Sequence, residues 1–165
     1  MKDKKSLIIY FSRADENYEV GYIDKGNTEV VAEMVKELTN SDIYKIEPTI
    51  PYSKEYLKCL EETQDRIDNA PIKEPLPDIK DYEVIYLMTP IYWNTYAPEV
   101  GTLLKSVNFV GKTIRIVTTH EGSGIGEVLN DVKENCIGAN IDSNTLSIYG
   151  HEVKDSREEV EKWIS

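Results

Sequence analysis

Short apolar runs, rich in β-branched and aromatic residues, recur along this chain with helical patterns between them, and this recurrence limits its possible folds more than any other feature. Residues 5–11 (KSLIIYF) are apolar almost without interruption, so they read as a strand buried on both faces, as in parallel sheets. Four more runs follow: 42–47 (DIYKIE), ended by Pro48; 83–88 (EVIYLM); 112–118 (KTIRIVT); and 145–149 (TLSIY). After Gly26-Asn27-Thr28, the spacing of Val30, Val31, Met34, Val35 and Leu38 places one apolar stripe on a helix. Further helices are expected over 53–69, 98–107, 126–135 and 155–164. Five such alternations imply a parallel sheet with helices on both faces, and right-handed crossovers make 2-1-3-4-5 the economical strand order. The stretch 49–81, with Pro51, Pro71, Pro75 and Pro77, reads as a long crossover, so residues 1–165 form one domain.

The formal net charge of −11 opposes nonspecific attraction to nucleic acid or an anionic membrane and favours a basic partner, if any. The first apolar run is too brief for a signal core or a membrane span, and no later window reaches about 18 apolar residues, so a cytoplasmic location is expected. Cys59 and Cys136 form no CxxC pair, and His120 and His151 have no metal-ligand spacing. Redox chemistry would therefore have to come from a cofactor.

In an open sheet of this kind, ligands bind beyond the carboxyl ends of the strands where the strand order switches, here among the loops after strands one, three and four. The first loop ends Gly26-Asn27-Thr28 at a helix start, where open N–H groups and the helix dipole suit a phosphate, with Ser12 adding a hydroxyl. The second, 89–96 (TPIYWNTY), gathers Tyr92, Trp93 and Tyr96 into five residues, apt walls for a flat ring system. The third, 118–126 (TTHEGSGIG), has three glycines in five residues, which lets backbone approach a ligand edge. A dinucleotide GxGxxG after the first strand is absent.

The runs YFSRADENYEVGYIDKGNT, TPIYWNTYAP and THEGSGIG, in this order, resemble the flavodoxin family, in a branch with an extended first loop. The resemblance implies a flavodoxin-like three-layer α/β/α sandwich with a five-stranded parallel sheet, non-covalent FMN and electron transfer with redox partner proteins, as a monomer or weak homodimer. It counts Arg13, Gly26 and Ile91 among the cofactor-binding residues, and assigns the phosphate to Ser12, Asn27 and Thr28 with nearby backbone and the isoalloxazine to Pro90, Tyr92, Trp93 and Asn94. Thr119, His120, Glu121, Gly122 and Gly124 would meet its other edge. Three departures stand out: Tyr92 replaces a usual tryptophan, Asn94 a usual glycine, and His120-Glu121 smaller residues. Asparagine tolerates φ > 0 less well than glycine, so the half-reduced flavin is expected to be less stabilised. A Glu121 carboxylate about 6 Å from a reduced, anionic flavin would cost about 3 kcal/mol at an effective dielectric near 20.

Two other functions fit the same residues: an FMN-dependent NAD(P)H or quinone reductase, and a flavin-free module that binds a partner. A receiver-like signalling domain fits poorly, because Ser12-Arg13 and Met88-Thr89-Pro90 stand where it needs acidic residues.

Overall fold

Strand β1 (Ser6–Tyr10) sits in the middle of the sheet, and its side chains alternate between two separate cores: Leu7 and Ile9 face one, Ile8 and Tyr10 the other. That alternation is the two-residue period of a strand with no wet face. The computed structural model describes residues 5–165. A hairpin of β2 (Asp15–Asn17) and β3 (Gly21–Ile23) follows, then α1 (Asn27–Thr39), β4 (Asp42–Lys45) and α2 (Tyr56–Asp65). Next come β5 (Val84–Tyr92), β6 (Thr95–Tyr96), α3 (Pro98–Ser106), β7 (Thr113–His120) and α4 (Val128–Asn135). The chain closes with β8 (Asn140–Ile141), β9 (Leu146–Tyr149), a 3-10 segment (Gly150–Asp155) and α5 (Arg157–Ile164).

The parallel ladder runs β4-β1-β5-β7, with β8 and β9 sharing the far edge, so the strands follow the expected order 2-1-3-4-5. Val31, Ala32 and Val35 of α1 and Val160 and Trp163 of α5 cover one face. Val100, Leu103 and Leu104 of α3 and Val128 and Val132 of α4 cover the other. No helix among the described residues is long and apolar enough to cross a membrane.

The structure departs from the sequence reading at several places; the helix expected over 53–69 spans only Tyr56–Asp65, and the strand expected over 42–47 ends at Lys45. The edge strand is split: β8 pairs with the start of β7 (Thr113↔Asn140) and β9 with its end (Val117↔Leu146). The third and fourth strands run beyond Met88 and Thr118, to Tyr92 and His120. What reads as a loop at 89–96 is instead the end of β5 folded back on β6 through Trp93-Asn94, both at positive φ (54° and 68°), as a two-residue hairpin turn of the primed kind requires. The polar first loop also forms a hairpin, with Gly21 at φ 70°.

Candidate functional site

At the carboxyl ends of β1, β5 and β7 lies a cavity of about 360 Å³, within the range of ~300–1,000 Å³ usual for small-molecule sites. Its base is the start of α1. Gly26 is the N-cap and has no side chain to offer the helix, so Ser12 Oγ, from the end of β1, accepts the Glu29 N–H at 3.0 Å instead. A β-carbon on Gly26 would collide with that hydroxyl and come within 2.8 Å of the Arg13 carbonyl. The first N–H groups of a helix have no partner inside it. Ser12 takes that of Glu29 and the Gly26 carbonyl that of Val30 (3.2 Å), leaving those of Asn27 and Thr28, both cavity residues, for an anion. Thr28 and Thr119 share a buried hydroxyl–hydroxyl bond of 2.8 Å that ties α1 to β7.

One wall is aromatic. Trp93, 45% exposed, sits in the β5–β6 turn, and its Nε1–H donates to Thr63 Oγ1 of α2 at 3.0 Å. Tyr92 turns inward: its ring stands edge-on to Phe11 at 6.1 Å, and burial pushes its phenol far above the ordinary value. Its hydroxyl is buried without a hydrogen-bond partner, and so is Arg13 Nε. The rest of the Arg13 guanidinium binds the carbonyls of Glu16, Ser53 (2.6 Å) and Lys54 (3.0 Å), lashing the hairpin to the crossover. Both atoms are sealed from solvent, so they belong to the packing behind the cavity wall.

The third loop closes the remaining side. His120 Nδ1 accepts the Gly122 N–H at 2.9 Å, which leaves the proton of the neutral ring on Nε2, and burial holds its pKa below the usual value. Glu121, at the cavity edge, bonds to the 3-10 segment, where one carboxylate oxygen accepts the His151 N–H (2.8 Å) and the other meets His151 Nδ1 (2.6 Å). The sequence gives no sign of this contact, 30 residues apart in the chain. The contact becomes an ion pair when His151 is protonated.

Of the residues singled out in the sequence, Ser12, Arg13, Asn27, Thr28, Pro90, Ile91, Tyr92, Trp93, Thr119, His120 and Glu121 line the cavity. Gly26, Asn94, Gly122 and Gly124 do not: Gly26 packs beneath Ser12, the Asn94 carbonyl accepts the Glu127 N–H at 2.8 Å, and the Gly124 carbonyl accepts the Thr118 hydroxyl at 3.1 Å. Asn17 and Tyr18 of the first loop and Tyr56, Cys59, Leu60 and Thr63 of α2 also line it, together with Ser123. The α2 residues carry no signal of their own in the sequence, since a crossover helix over that site is a tertiary arrangement. Tyr18 packs on Tyr56 at 5.8 Å between ring centroids.

A doubly wound parallel sheet in this order, with its cavity at the switch in strand order, defines the flavodoxin-like class of α/β proteins. The chain belongs to the flavodoxin family: the family profile described as Flavodoxin matches residues 5–165. Solved structures agree in fold. A protein of Bacteroides uniformis assigned as a flavoprotein superposes with a TM-score of 0.74 at 23% identity, over 99% of each chain. A flavoprotein of Lactobacillus acidophilus, solved in complex with FMN, gives 0.65 at 20% identity over 98% of this chain and 99% of its own. Oxidised flavodoxin 2 of Bacillus cereus gives 0.53 at 16% identity over 97% of both chains. No curated protein matches the sequence.

Proposed function

We propose that this chain holds FMN without a covalent bond in the cavity above β1, β5 and β7 and serves as an electron carrier between partner proteins. The observation that carries this reading is the join, in one cavity of about 360 Å³, of two open helix N–H groups (Asn27 and Thr28) with an exposed indole (Trp93). Ser12, Asn27 and Thr28 hold the phosphate, the α1 dipole adding attraction where the Arg13 guanidinium is already engaged by backbone carbonyls. Trp93, Ile91 and Pro90 flank the ring system, and the loop from His120 to Ser123 borders it. FMN, when bound, supplies one- and two-electron redox chemistry. The protein sets its affinity, potential and access.

The net charge of −11 suits exchange with a partner protein that has a basic face. A cytoplasmic location accords with Cys59 and Cys136, both buried free thiols. One observation favours the reductase reading instead: a second cavity of about 460 Å³, on the α3 side, shares Tyr92 and Trp93 with the first. Titration of the apoprotein with FMN tests the common part of both readings, and failure to bind would overturn them. Addition of NADH or NADPH, with and without quinone, then separates them: slow oxidation supports the carrier, and rapid turnover overturns it in favour of a reductase.

A further inference from the structure

Trp93 combines two unfavourable features. It is a bulky residue at φ 54°, in the left-handed region that favours glycine, and it is 45% exposed. A tryptophan that merely filled the core would be buried, and one that merely decorated the surface would need no fixed partner. Its indole has one: Thr63 Oγ1, on a helix 30 residues earlier in the chain. Thr63 is only 2% exposed, and its own hydroxyl proton goes to the Leu60 carbonyl at 2.7 Å, so the oxygen presents a lone pair to the indole. The acceptor is thus oriented by α2 before the indole arrives. Strained backbone of this kind persists where the surrounding structure enforces it, and it concentrates at ligand clamps.

We propose that Thr63 is a positioning residue that fixes the plane of the Trp93 indole as the wall against which the flavin ring is held. The inference rests on the FMN reading above and deepens it: the ring wall is set from α2, outside the loop that carries it. Thr63→Val keeps the volume and removes the acceptor, whereas Thr63→Ser keeps the hydroxyl.

The test is read first in the apoprotein, from the indole N–H resonances of the two tryptophans in a proton–nitrogen correlation spectrum. Trp163 Nε1–H donates to the Asn144 carbonyl at 2.9 Å, far from α2, and serves as the internal reference. In Thr63→Val the Trp93 resonance, assigned with Trp93→Phe, is expected to move and exchange faster with solvent while that of Trp163 stays in place. The FMN dissociation constant is expected to rise about five-fold, the factor carried by one ordinary net hydrogen bond. Thr63→Ser is expected to restore both. An unmoved Trp93 resonance in Thr63→Val overturns the tether whatever the protein binds. A moved resonance with unchanged FMN affinity reduces Thr63 to a structural contact and overturns the positioning role. A wild-type protein that takes up no FMN overturns the functional reading, and this role with it.

Discussion

Glu121 grips His151 twice, accepting its backbone N–H with one carboxylate oxygen (2.8 Å) and meeting its Nδ1 with the other (2.6 Å). That hydrogen bond is the main reason the His151 pKa is raised, with the nearby charges of Glu121, Glu152 and Glu19 adding to it. A raised histidine contributes stability that is fully present below the unfolded value of about 6.5 and is lost as pH climbs through the folded value. His120 behaves oppositely: burial depresses it, so the folded state loses stability as pH falls below about 6.5 and the unfolded chain takes up the proton more readily. An NMR titration is expected to show His151 ionising above and His120 below the ordinary value. In Glu121→Gln the His151 midpoint should fall back; a midpoint that stays raised would contradict the assignment.

Ser12 acts as a remote cap for α1, doing for the helix what the side chain of Gly26 cannot. Ser12→Ala is expected to cost about 1 kcal/mol of stability, the usual value of a lost cap. Urea unfolding measures this. FMN affinity should fall as well if the same hydroxyl touches the phosphate.

Gly126, at φ 53°, lies so close to the Asn94 carbonyl that an added β-carbon would strike its oxygen and stand 3.0 Å from its carbon. Gly111, at φ 80°, has open space around the same position. Both alanine variants bear the left-handed penalty of about 1–2 kcal/mol, so the excess cost of Gly126→Ala over Gly111→Ala reads the clash alone. We expect that excess to be positive in thermal unfolding. Equal losses would show that the two loops separate freely.

Glu99, fully buried at the start of α3, accepts the Tyr52 hydroxyl at 2.8 Å and 2.9 Å and has Arg66 at 3.7 Å, while the Arg66 guanidinium lies 4.0 Å above the Tyr52 ring. Burial raises the Glu99 pKa, opposed by the Tyr52 hydrogen bond and by Arg66. Tyr52→Phe removes a hydrogen bond to a buried carboxyl group and is expected to cost about 1.5–3 kcal/mol. It should also raise the Glu99 pKa further, which an NMR titration of its side chain can follow.

Much of this architecture is legible because β1 and the first half of β5 are near-continuous apolar runs, and β7 keeps Ile114, Ile116 and Val117 around Arg115, patterns that need no knowledge of their neighbours. The three loops after them stood out for the same local reasons: a glycine at a helix start, clustered aromatics, clustered glycines. The β2–β3 hairpin was not legible, because its strands (DEN and GYI) have no apolar period and are held by Arg13 and by the Glu16 carboxylate, which accepts the Tyr56 N–H at 2.7 Å. Those bonds reach some 40 residues along the chain, beyond any local pattern. The β5–β6 turn was missed for a different reason. Trp93 is an unusual residue for positive φ, and Asn94 without a following glycine is a weak turn signal. Glu121 does line the cavity, but nothing in the sequence announces that His151 lies beside it.

The three loops around the cavity are already fastened to one another: Thr28 to Thr119 by paired hydroxyls, and Asn94 to Glu127 through the backbone. A ligand entering there meets a finished mould, so little ordering entropy remains to be lost on association. The same fastening gives the loops a shared fate in evolution and in engineering. Any one of them grafted alone onto a related sheet would arrive without the partners that give it shape.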